Sequence, residues 1–335
     1  TIKDYIGSKR NDKFWEVAFY GGSFTAIHSD LQHTLLEPAY EMLRQGIIDG
    51  IRCSTRPDAV GDEAISLLQS YGVKTVELGV QSMNDGILVD AKRGHTAQEV
   101  VDAVARLKRR GMVVGVQLLP GLKGETWETI LETAIAVVKL KPDFVRIYPV
   151  LVIENTELAD QYRAGAYKPL STEQAITYCA FLKEWFESHN IEVIRTGLQS
   201  TDELDSGDSL LAGPYEPAMG ELVVNEQFKQ RIERCFDEHF SESALGDQYT
   251  YNFSPLSNHY SHKVECRTHA NNTNKLAKHK ILISYPRNLT SKVRGLKNRN
   301  ILYFQETYPQ FSIDWCEDNT RNTVRCCIDG LQYML

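Results

Sequence analysis

Residues 16–25 read Glu-Val-Ala-Phe-Tyr-Gly-Gly-Ser-Phe-Thr, a short β-type run that ends in two adjacent glycines and a serine. The apolar and aromatic side chains of Glu16–Tyr20 predict a strand, because such residues pack well on a pleated surface. Glycines have no Cβ, so the backbone of Gly21 and Gly22 can approach a ligand closely, and Ser23 adds a hydroxyl beside them. A tight strand-to-helix turn is the simpler explanation of the same glycine pair taken alone.

The alternation of short strands and amphipathic helices continues outward from this run. Two of the predicted helices open with a capping box, Thr96 with Glu99 and Ser171 with Gln174. This alternation is typical of a parallel sheet or barrel. We predict strands at Glu16–Tyr20, Gly50–Ser54, Thr75–Val80, Val113–Leu119, Phe144–Pro149 and Ile191–Thr196, helices at Asp62–Tyr71, Thr96–Arg110, Thr126–Lys139 and Ser171–His189, and a loop at Thr201–Pro217.

Composition places the chain among ordinary globular proteins. Its 335 residues are 42% hydrophobic and 24% charged, which suggests about two domains. No apolar run approaches the ~20 residues of a membrane span, and the first ten residues contain no apolar signal core, so we expect a cytoplasmic protein with no membrane partner. Seven cysteines, an odd number with no CxxC pair, indicate reduced thiols rather than a disulfide framework.

Charge is divided unevenly along the sequence. Residues 1–225 carry 22 Lys and Arg against 32 Asp and Glu, whereas residues 226–335 carry 15 against 12. Between His259 and Asn300 there are ten basic residues and one acid, Glu265. Such a change of sign suggests two domains with different partners, and the basic stretch is compatible with nucleic acid.

Polar residues stand near the end of each of the first five predicted strands, where parallel α/β folds place their functional groups. They are Gly21, Gly22 and Ser23 after the first strand, Ser54 after the second, Gln81 and the following Arg93 after the third, Gln117 on the fourth, and Arg146 with Tyr148 on the fifth. Arg146 and Tyr148 share one face of their strand, and Arg93 could clamp a carboxylate.

The neighbours of these residues have simpler explanations. Glu77 is too costly to bury alone, so it points into a polar barrel centre or pairs with a base. We expect Cys53 to be a small buried apolar residue, Arg56 and Asp58 to form a local ion pair, and His95 to be solvated or to cap a helix.

The segments FYGGSF, STRPD, ELGVQS, RGHT, LLPGLKGET and RIYPVLV, in this order, resemble the radical S-adenosylmethionine (radical SAM) superfamily. Within it the chain is most similar to the branch of the Elongator catalytic subunit and its shorter bacterial relatives, with oxygen-independent coproporphyrinogen oxidases more distant. Residues 156–158, 167–169, 195–199 and 212–215 look like the C-terminal extension of that branch. The resemblance covers about residues 14–225.

The resemblance implies an α/β fold: a partial (β/α)6 TIM-type barrel without its first strand, followed by a small C-terminal α+β domain. We expect the partial barrel over residues 1–155, the C-terminal extension over 156–225 and a small basic domain over 226–335. Members of the superfamily bind S-adenosylmethionine (SAM) to a [4Fe-4S] cluster, reduce it and use the 5′-deoxyadenosyl radical to abstract hydrogen. By position, Gly21, Gly22 and Ser23 would receive the SAM amino group and Arg93 its carboxylate. Ser54, Gln81 and Gln117 would lie near the ribose, and Arg146 and Tyr148 on the substrate side.

The cluster motif CxxxCxxC of the superfamily is absent from this sequence, whose earliest cysteine is Cys53. In the relatives it lies upstream of the Gly-Gly strand. We therefore expect the chain to be a truncated or proteolysed form of a radical SAM enzyme that is inactive as it stands, because a cluster needs cysteine thiolates.

The last 110 residues carry no acetyltransferase glycine motif, so we expect no acetyl-CoA chemistry there. The stretch Lys292-Val293-Arg294-Gly295-Leu296-Lys297-Asn298-Arg299 precedes a predicted helix and a strand at Phe311–Trp315. It resembles the Gly-x-x-Gly loop with which KH domains clamp a nucleic-acid backbone, with Asn298 in place of the second glycine. Lys292, Arg294, Gly295, Lys297 and Arg299 are the candidate contacts, and a solvated basic face is the alternative. His259, His262 and His269 with Cys266 fit no standard metal pattern and are expected in a loop.

Three functions remain open from the sequence. The first is a radical SAM enzyme that modifies tRNA or another RNA and takes electrons from a donor such as flavodoxin or ferredoxin. The second is a radical SAM enzyme with a small-molecule substrate. The third is a barrel without a cluster that binds RNA or serves as a scaffold.

Overall fold

A computed structural model describes residues 14–207, 209–242 and 279–335 of the chain. The chain divides into two compact units, Thr1–Met219 and Gly220–Leu335. None of the helices in these ranges is both long and apolar enough to cross a membrane.

The first unit contains a curled half-barrel of six parallel strands, with β5 and β7 adjacent. All six predicted strands and the α/β fold class are confirmed. The strands of this unit are β1 (Glu16–Phe19), β2 (Gly50–Thr55), β3 (Val73–Gln81), β4 (Val113–Leu118), β5 (Phe144–Ile147), β6 (Val152–Ile153), β7 (Glu192–Thr196) and β8 (Leu210–Ala212).

Helices of the first unit follow the strands, as parallel connections require. The capping boxes at Thr96 and Ser171 are present as predicted, each with its backbone and side-chain hydrogen bonds. The helices are α1 (Ser29–Arg44), α2 (Asp62–Ser70), α3 (Asp85–Asp90), α4 (Ala97–Arg109), α5 (Trp127–Leu140), α6 (Glu157–Arg163), α7 (Thr172–Ser188) and α8 (Asp202–Ser206).

Alternation along the strands separates an apolar core from a polar face. Ile51, Cys53, Val76, Leu78 and Val116 are fully buried on one face. Residues of the opposite parity, such as Arg52, Glu77, Gln117 and Arg146, bond to one another on the other face. The period of two in a strand thus gives the sheet an apolar side and a polar one.

The prediction of a loop over Thr201–Pro217 is wrong. This stretch contains α8, whose first turn is capped by the Thr201 hydroxyl accepting from the Leu204 N–H at 3.3 Å. It also contains β8, which pairs antiparallel with β6. A two-strand ribbon between segments almost 60 residues apart is a long-range pairing, and local composition carries no signal for it.

The second unit combines a mixed four-stranded sheet with helices, in the order β10-β9-β11-β12, where β9 and β10 are parallel and the other pairs antiparallel. Phe236 anchors its core and contacts the rings of Phe304, Tyr308 and Phe311 edge-on, with centroids 5.2–5.6 Å apart. The elements are α9 (Met219–Glu242, whose first residue belongs to the first unit), β9 (Lys280–Tyr285), α10 (Thr290–Arg294), α11 (Arg299–Thr307), β10 (Ser312–Glu317), β11 (Arg325–Ile328) and β12 (Leu331–Met334).

Candidate functional site

Glu77 is the centre of the polar face of the half-barrel. It lies on β3 with its side chain fully buried. Tyr20 donates its hydroxyl to Glu77 Oε1 at 2.7 Å, and Gln117 Nε2 donates to Glu77 Oε2 at 3.1 Å. Arg146 Nε stands 2.7 Å from Oε2, and Arg52 Nη1 stands 3.4 Å from Oε1. Both alternatives that the sequence left for Glu77 are therefore realised, since it lies on the barrel's polar face and pairs with bases.

A second carboxylate balances the charge of this network. Arg52 Nε lies 3.0 Å from Glu16 Oε2 on β1. Two carboxylates, Glu16 and Glu77, thus face two guanidiniums, Arg52 and Arg146. Burial raises the pKa of Glu16, while Arg52 opposes that shift. Burial and the bond to Glu77 raise the pKa of Tyr20 to about 12, so Tyr20 is a neutral donor at physiological pH.

The predicted residues Ser54, Gln117, Arg146 and Tyr148 are brought together by this network. Gln117 Nε2 also lies 3.4 Å from Ser54 Oγ, and Arg146 Nη1 donates to the Tyr148 hydroxyl at 3.1 Å. Burial lowers the pKa of Arg146, but Glu77 and Tyr148 more than compensate, so the net shift is upward and the guanidinium stays charged. Arg146 and Tyr148 share one face, as their alternation predicts.

Gln81 and Arg93 form a second group at the carboxyl end of β3. The ladder between β3 and β4 shifts register between Leu78 and Gln81, and Gln81 has a left-handed backbone with φ 69°. Such a conformation costs a non-glycine residue about 1 kcal/mol or more and tends to mark functional positions. The Gln81 amide lies over Gly79, where a Cβ would come within 2.8 Å of its Nε2.

This group contains unpartnered polar atoms. Gln81 Oε1 and Arg93 Nε are buried and make no hydrogen bond. Arg93 Nη2 would lie 3.7 Å from a Cβ at Gly79, so the guanidinium reaches toward the same point. Burial lowers the pKa of Arg93, and the nearby Arg56 lowers it further. Buried polar atoms without partners are uncommon in folded proteins, so this pair is a candidate contact for a polar ligand.

The glycine turn after β1 is open. Gly21 has φ 101°, and a Cβ on Gly21 or Gly22 would meet no atom within 4 Å. Neither glycine is therefore required by close packing of the protein itself, although φ 101° favours glycine at position 21. Ser23 precedes a single 3-10 turn, and Thr25 Oγ1 lies 2.5 Å from Thr55 Oγ1, which ties the turn to the end of β2.

The simpler predictions for neighbouring residues have mixed outcomes. Cys53 is buried, and burial raises its pKa to about 12, so it is an unreactive thiol as expected. Arg56 and Asp58 form the predicted ion pair. His95 is not solvated and does not cap a helix: it is 5% exposed, with Nε2 3.2 Å from the Val80 carbonyl oxygen. His95 follows Gly94, whose φ is 73°, and its imidazole contacts the end of β3 at Val80.

Sequence reasoning missed three members of the central network, namely Glu16, Tyr20 and Arg52. A signal was available. Glu16, Arg52, Glu77 and Arg146 are charged residues inside otherwise apolar strands, and strands of a parallel sheet bury both faces. Because a buried charge needs a partner, two acids and two bases on four of the first five strands, β1, β2, β3 and β5, predict one another.

The loop after β4 contains a further, half-buried carboxylate. Glu125 accepts hydrogen bonds from the N–H groups of Gly121 and Leu122, and Tyr167 donates its hydroxyl to the Gly121 carbonyl oxygen at 2.7 Å. Burial raises the pKa of Glu125 to about 7, despite the two backbone donors. Glu125 therefore bonds to the backbone of its own loop, and its pKa lies near neutral pH.

No group of three His, Cys, Asp or Glu residues in the described ranges is arranged to hold a metal ion. The predicted histidine and cysteine segment, His259 to His269, lies outside those ranges, so its assignment to a loop stays a prediction. The full sequence contains no CxxxCxxC motif. The residues described here therefore do not fit a [4Fe-4S] cluster.

Comparison with known proteins supports this fold. Residues 2–136 match the model of the radical SAM superfamily, and residues 142–230 match that of the radical SAM C-terminal domain. The solved structure of archaeal Methanocaldococcus infernus Elp3 with an N-terminal deletion is 27% identical with a TM-score of 0.56, over 64% of this chain and 54% of that chain.

Two curated relatives are similar in sequence to part of this chain. A tRNA uridine(34) acetyltransferase of Methanocaldococcus jannaschii is 37% identical over 145 residues, 41% of this chain and 27% of that protein. Elongator complex protein 3 of Homo sapiens is 31% identical over 134 residues, 39% of this chain and 24% of that protein. The chain thus spans about a quarter of the length of these relatives. The two matched models together cover residues 2–136 and 142–230, and we conclude that the chain belongs to the radical SAM superfamily and is similar there to Elongator Elp3 proteins.

Proposed function

We propose that the first unit is the SAM-binding and substrate-facing part of a radical SAM enzyme that modifies tRNA. The observation that carries this proposal is the pair of buried polar atoms without partners, Gln81 Oε1 and Arg93 Nε, at the carboxyl end of β3. A ligand that bears hydroxyl, amino and carboxylate groups would satisfy both. The tRNA substrate is taken from the activity named for the M. jannaschii relative.

SAM fits the residues present. Arg93 has no ion pair within the described residues and offers a cation for the SAM carboxylate. Gln81, Ser54 and Gln117 carry the donors and acceptors that ribose hydroxyls need. Gly21 and Gly22 leave backbone groups free for the SAM amino group, with the Ser23 hydroxyl beside them. Bound SAM would accept one electron from the cluster and supply the 5′-deoxyadenosyl radical that abstracts hydrogen in this superfamily, with methionine as the leaving group.

The substrate side belongs to the Glu77 network. Glu77 fixes Arg146 through its carboxylate, and Arg146 in turn binds Tyr148 and Tyr20. Arg146 and Tyr20 are each held by at least two contacts before any substrate arrives, so these two side chains have little rotamer entropy left to lose on binding. These residues would orient the substrate through two tyrosine hydroxyls and one fixed cation.

The cluster would be held by cysteines that this sequence does not contain. We propose that activity requires a segment that carries the CxxxCxxC ligands and a flavodoxin- or ferredoxin-type electron donor in a cytoplasmic setting.

Binding of SAM and of S-adenosylhomocysteine to the chain, measured by isothermal titration calorimetry, tests the proposal without any cluster. We expect Arg93→Ala to weaken SAM binding at least tenfold, since a buried charge-assisted contact is lost. Arg109→Ala, an exposed arginine on α4, is the matched control and should leave the affinity unchanged. Equal affinities of the wild type and Arg93→Ala would contradict the assignment.

The substrate class needs a second experiment. In a protein that contains the cluster cysteines, 5′-deoxyadenosine formation from SAM should increase when tRNA is added. Stimulation by a small molecule alone would favour the second function left open by the sequence. Absence of SAM binding with intact RNA binding would favour the non-catalytic barrel.

A further inference from the structure

We propose that the second unit binds the phosphate backbone of single-stranded nucleic acid through the turn between α10 and α11. This turn, Gly295–Asn298, is flanked by Lys292 and Arg294 on one side and by Arg299 on the other. The proposal concerns a surface separate from the SAM site and does not depend on the function proposed for the first unit.

Charge is the first observation. From Lys280 to Gln305 the chain carries six Lys and Arg and no Asp or Glu. Lys292 and Lys297 are exposed, and neither forms an ion pair with a described residue. An acid does contact this region, because the Thr290 hydroxyl donates to Glu317 at 2.8 Å, but it does so at the first residue of α10, away from the turn.

Backbone conformation is the second observation. Gly295 has φ 79° and ψ 153°, a region that only glycine enters readily, and a Cβ there would lie 2.9 Å from the Asn300 N atom. Lys297 and Asn298 follow with φ 54° and 61°. Asparagine tolerates the left-handed conformation better than other residues with a Cβ, so Asn298 can stand where the Gly-x-x-Gly pattern has its second glycine.

The third observation is that two buried asparagine side chains hold the turn in place. Buried Asn225 accepts from the Leu296 N–H at 2.9 Å and donates to the carbonyl oxygens of Ser291 and Lys292 at 3.0 Å. Buried Asn300 donates to the carbonyl oxygens of Asn225 and Val293 at 2.9 and 3.0 Å. The turn is therefore fixed before a ligand binds, and it presents Lys297 and Asn298 to solvent.

The structural setting favours a nucleic-acid backbone over an acidic peptide. The turn joins two helices between the parallel strands β9 and β10, with Gly295 at its start, Lys297 near its tip and Lys292 on the preceding helix. KH domains clamp four backbone nucleotides with a loop of this kind. Phosphates are regularly spaced single charges, which separate lysines can contact one at a time.

Fluorescence anisotropy with a labelled 12-nucleotide oligouridylate and the full chain tests the proposal. We expect Lys297→Glu and Lys292→Glu each to weaken binding at least fivefold. Neutral variants, Lys297→Gln and Lys292→Gln, should each reduce the slope of log affinity against log salt by about 0.7, since one phosphate contact is lost. The matched control is Lys280→Glu, an exposed lysine at the far end of β9 from α10, which should change affinity less than twofold. Circular dichroism melts confirm that the variants fold.

Several outcomes would overturn the proposal. Equal losses of affinity in Lys280→Glu and Lys297→Glu would show that the overall charge of the unit, and not a specific site, determines binding. No binding of oligouridylate by the wild type would remove the site altogether. Tighter binding of polyglutamate than of oligouridylate, with the same sensitivity to Lys297→Glu, would indicate a protein partner. None of these readouts involves SAM, so failure here leaves the proposed function of the first unit standing.

Discussion

Glu77 shows what a single residue can and cannot predict. A carboxylate inside an apolar strand must find partners, and the sequence alone establishes that. Which partners it finds depends on the register of the strands. Ser54 and Gly115 lie directly beside Glu77 on the neighbouring strands. Arg52 and Arg146 contact Glu77 diagonally across the sheet. Residue type and parity could therefore predict a charged network on the polar face, whereas its membership required the strand alignment.

Replacing Glu77 by glutamine should destabilise the first unit by about 3–5 kcal/mol, because it leaves Arg52 and Arg146 buried with one carboxylate between them. Urea unfolding followed by intrinsic fluorescence measures the change. The double variant Glu77→Gln/Arg146→Met should recover part of the loss, since it removes the uncompensated cation.

Glu157→Gln is the matched control for this prediction. Glu157 pairs with Lys92 at the protein surface, where an ion pair contributes little to stability. Its removal should leave the unfolding midpoint near that of the wild type. A similar effect of the two substitutions would show that burial of Glu77 does not govern its contribution.

Glu125 should make stability fall as pH rises. Burial raises its pKa from 4.5 to about 7 in the folded protein, so the folded state holds the proton more tightly than the unfolded state. The stabilisation is full below pH 4.5 and is lost as pH rises through 7, by up to about 3 kcal/mol. Urea midpoints of the wild type and Glu125→Gln between pH 5 and 8 measure this, and the difference between them should vary with pH. Parallel profiles would contradict it.

At the scale of elements, the strands were predictable and some helices were not. Each parallel strand is a short apolar run bounded by turn residues, and the capping boxes at Thr96 and Ser171 mark helix starts locally. Helix α1 has no capping box, and Pro38 in its middle argues against a helix when the sequence is read alone. Pro38 is exposed, so the Thr34 carbonyl oxygen that loses its backbone partner can bond water. Pairing of β6 with β8 is long-range and left no local trace.

The Asn225 clamp leads to a prediction about the α10–α11 turn as an element. Asn225→Ala removes the acceptor of the Leu296 N–H and the donor to two carbonyl oxygens, which should destabilise the second unit by about 2–3 kcal/mol. Hydrogen exchange of the Leu296 amide should accelerate along with it. Asn288→Ala, an exposed asparagine ahead of α10, is the control and should alter neither. Unchanged exchange at Leu296 in Asn225→Ala would show that the clamp does not hold the turn.

At the scale of the whole molecule, the division into two units accounts for the uneven charge along the sequence. The acidic part of the chain forms the half-barrel and its extension, whereas the basic part forms the four-stranded sheet with its own aromatic core around Phe236. Charge counts predict that the chain has two units, but they do not predict the fold of the second unit. That fold depends on the parallel pairing of β9 with β10, two segments that are separated in the sequence by two helices.

S-Adenosylhomocysteine should stabilise the first unit selectively. Three of the four tryptophans, Trp15, Trp127 and Trp185, lie in that unit and Trp315 lies in the second. In Trp315→Phe the fluorescence therefore follows the first unit alone. Ligand at 100 times its dissociation constant should add about 2.7 kcal/mol to the unfolding free energy seen by that variant. Far-ultraviolet circular dichroism should then show a second, unshifted step. A single transition that shifts as a whole would contradict independent units.

The neutral balance of Glu16, Arg52, Glu77 and Arg146 constrains how this sequence can evolve. Loss of any one of the four leaves an uncompensated charge in the half-barrel, although an apolar replacement of all of them could be as stable as the original. Evolution by single substitutions therefore passes through variants that fold poorly, and the effect of each substitution on fitness depends on the other three residues. Related sequences should retain the quartet whole or lack it whole, whatever reaction they perform.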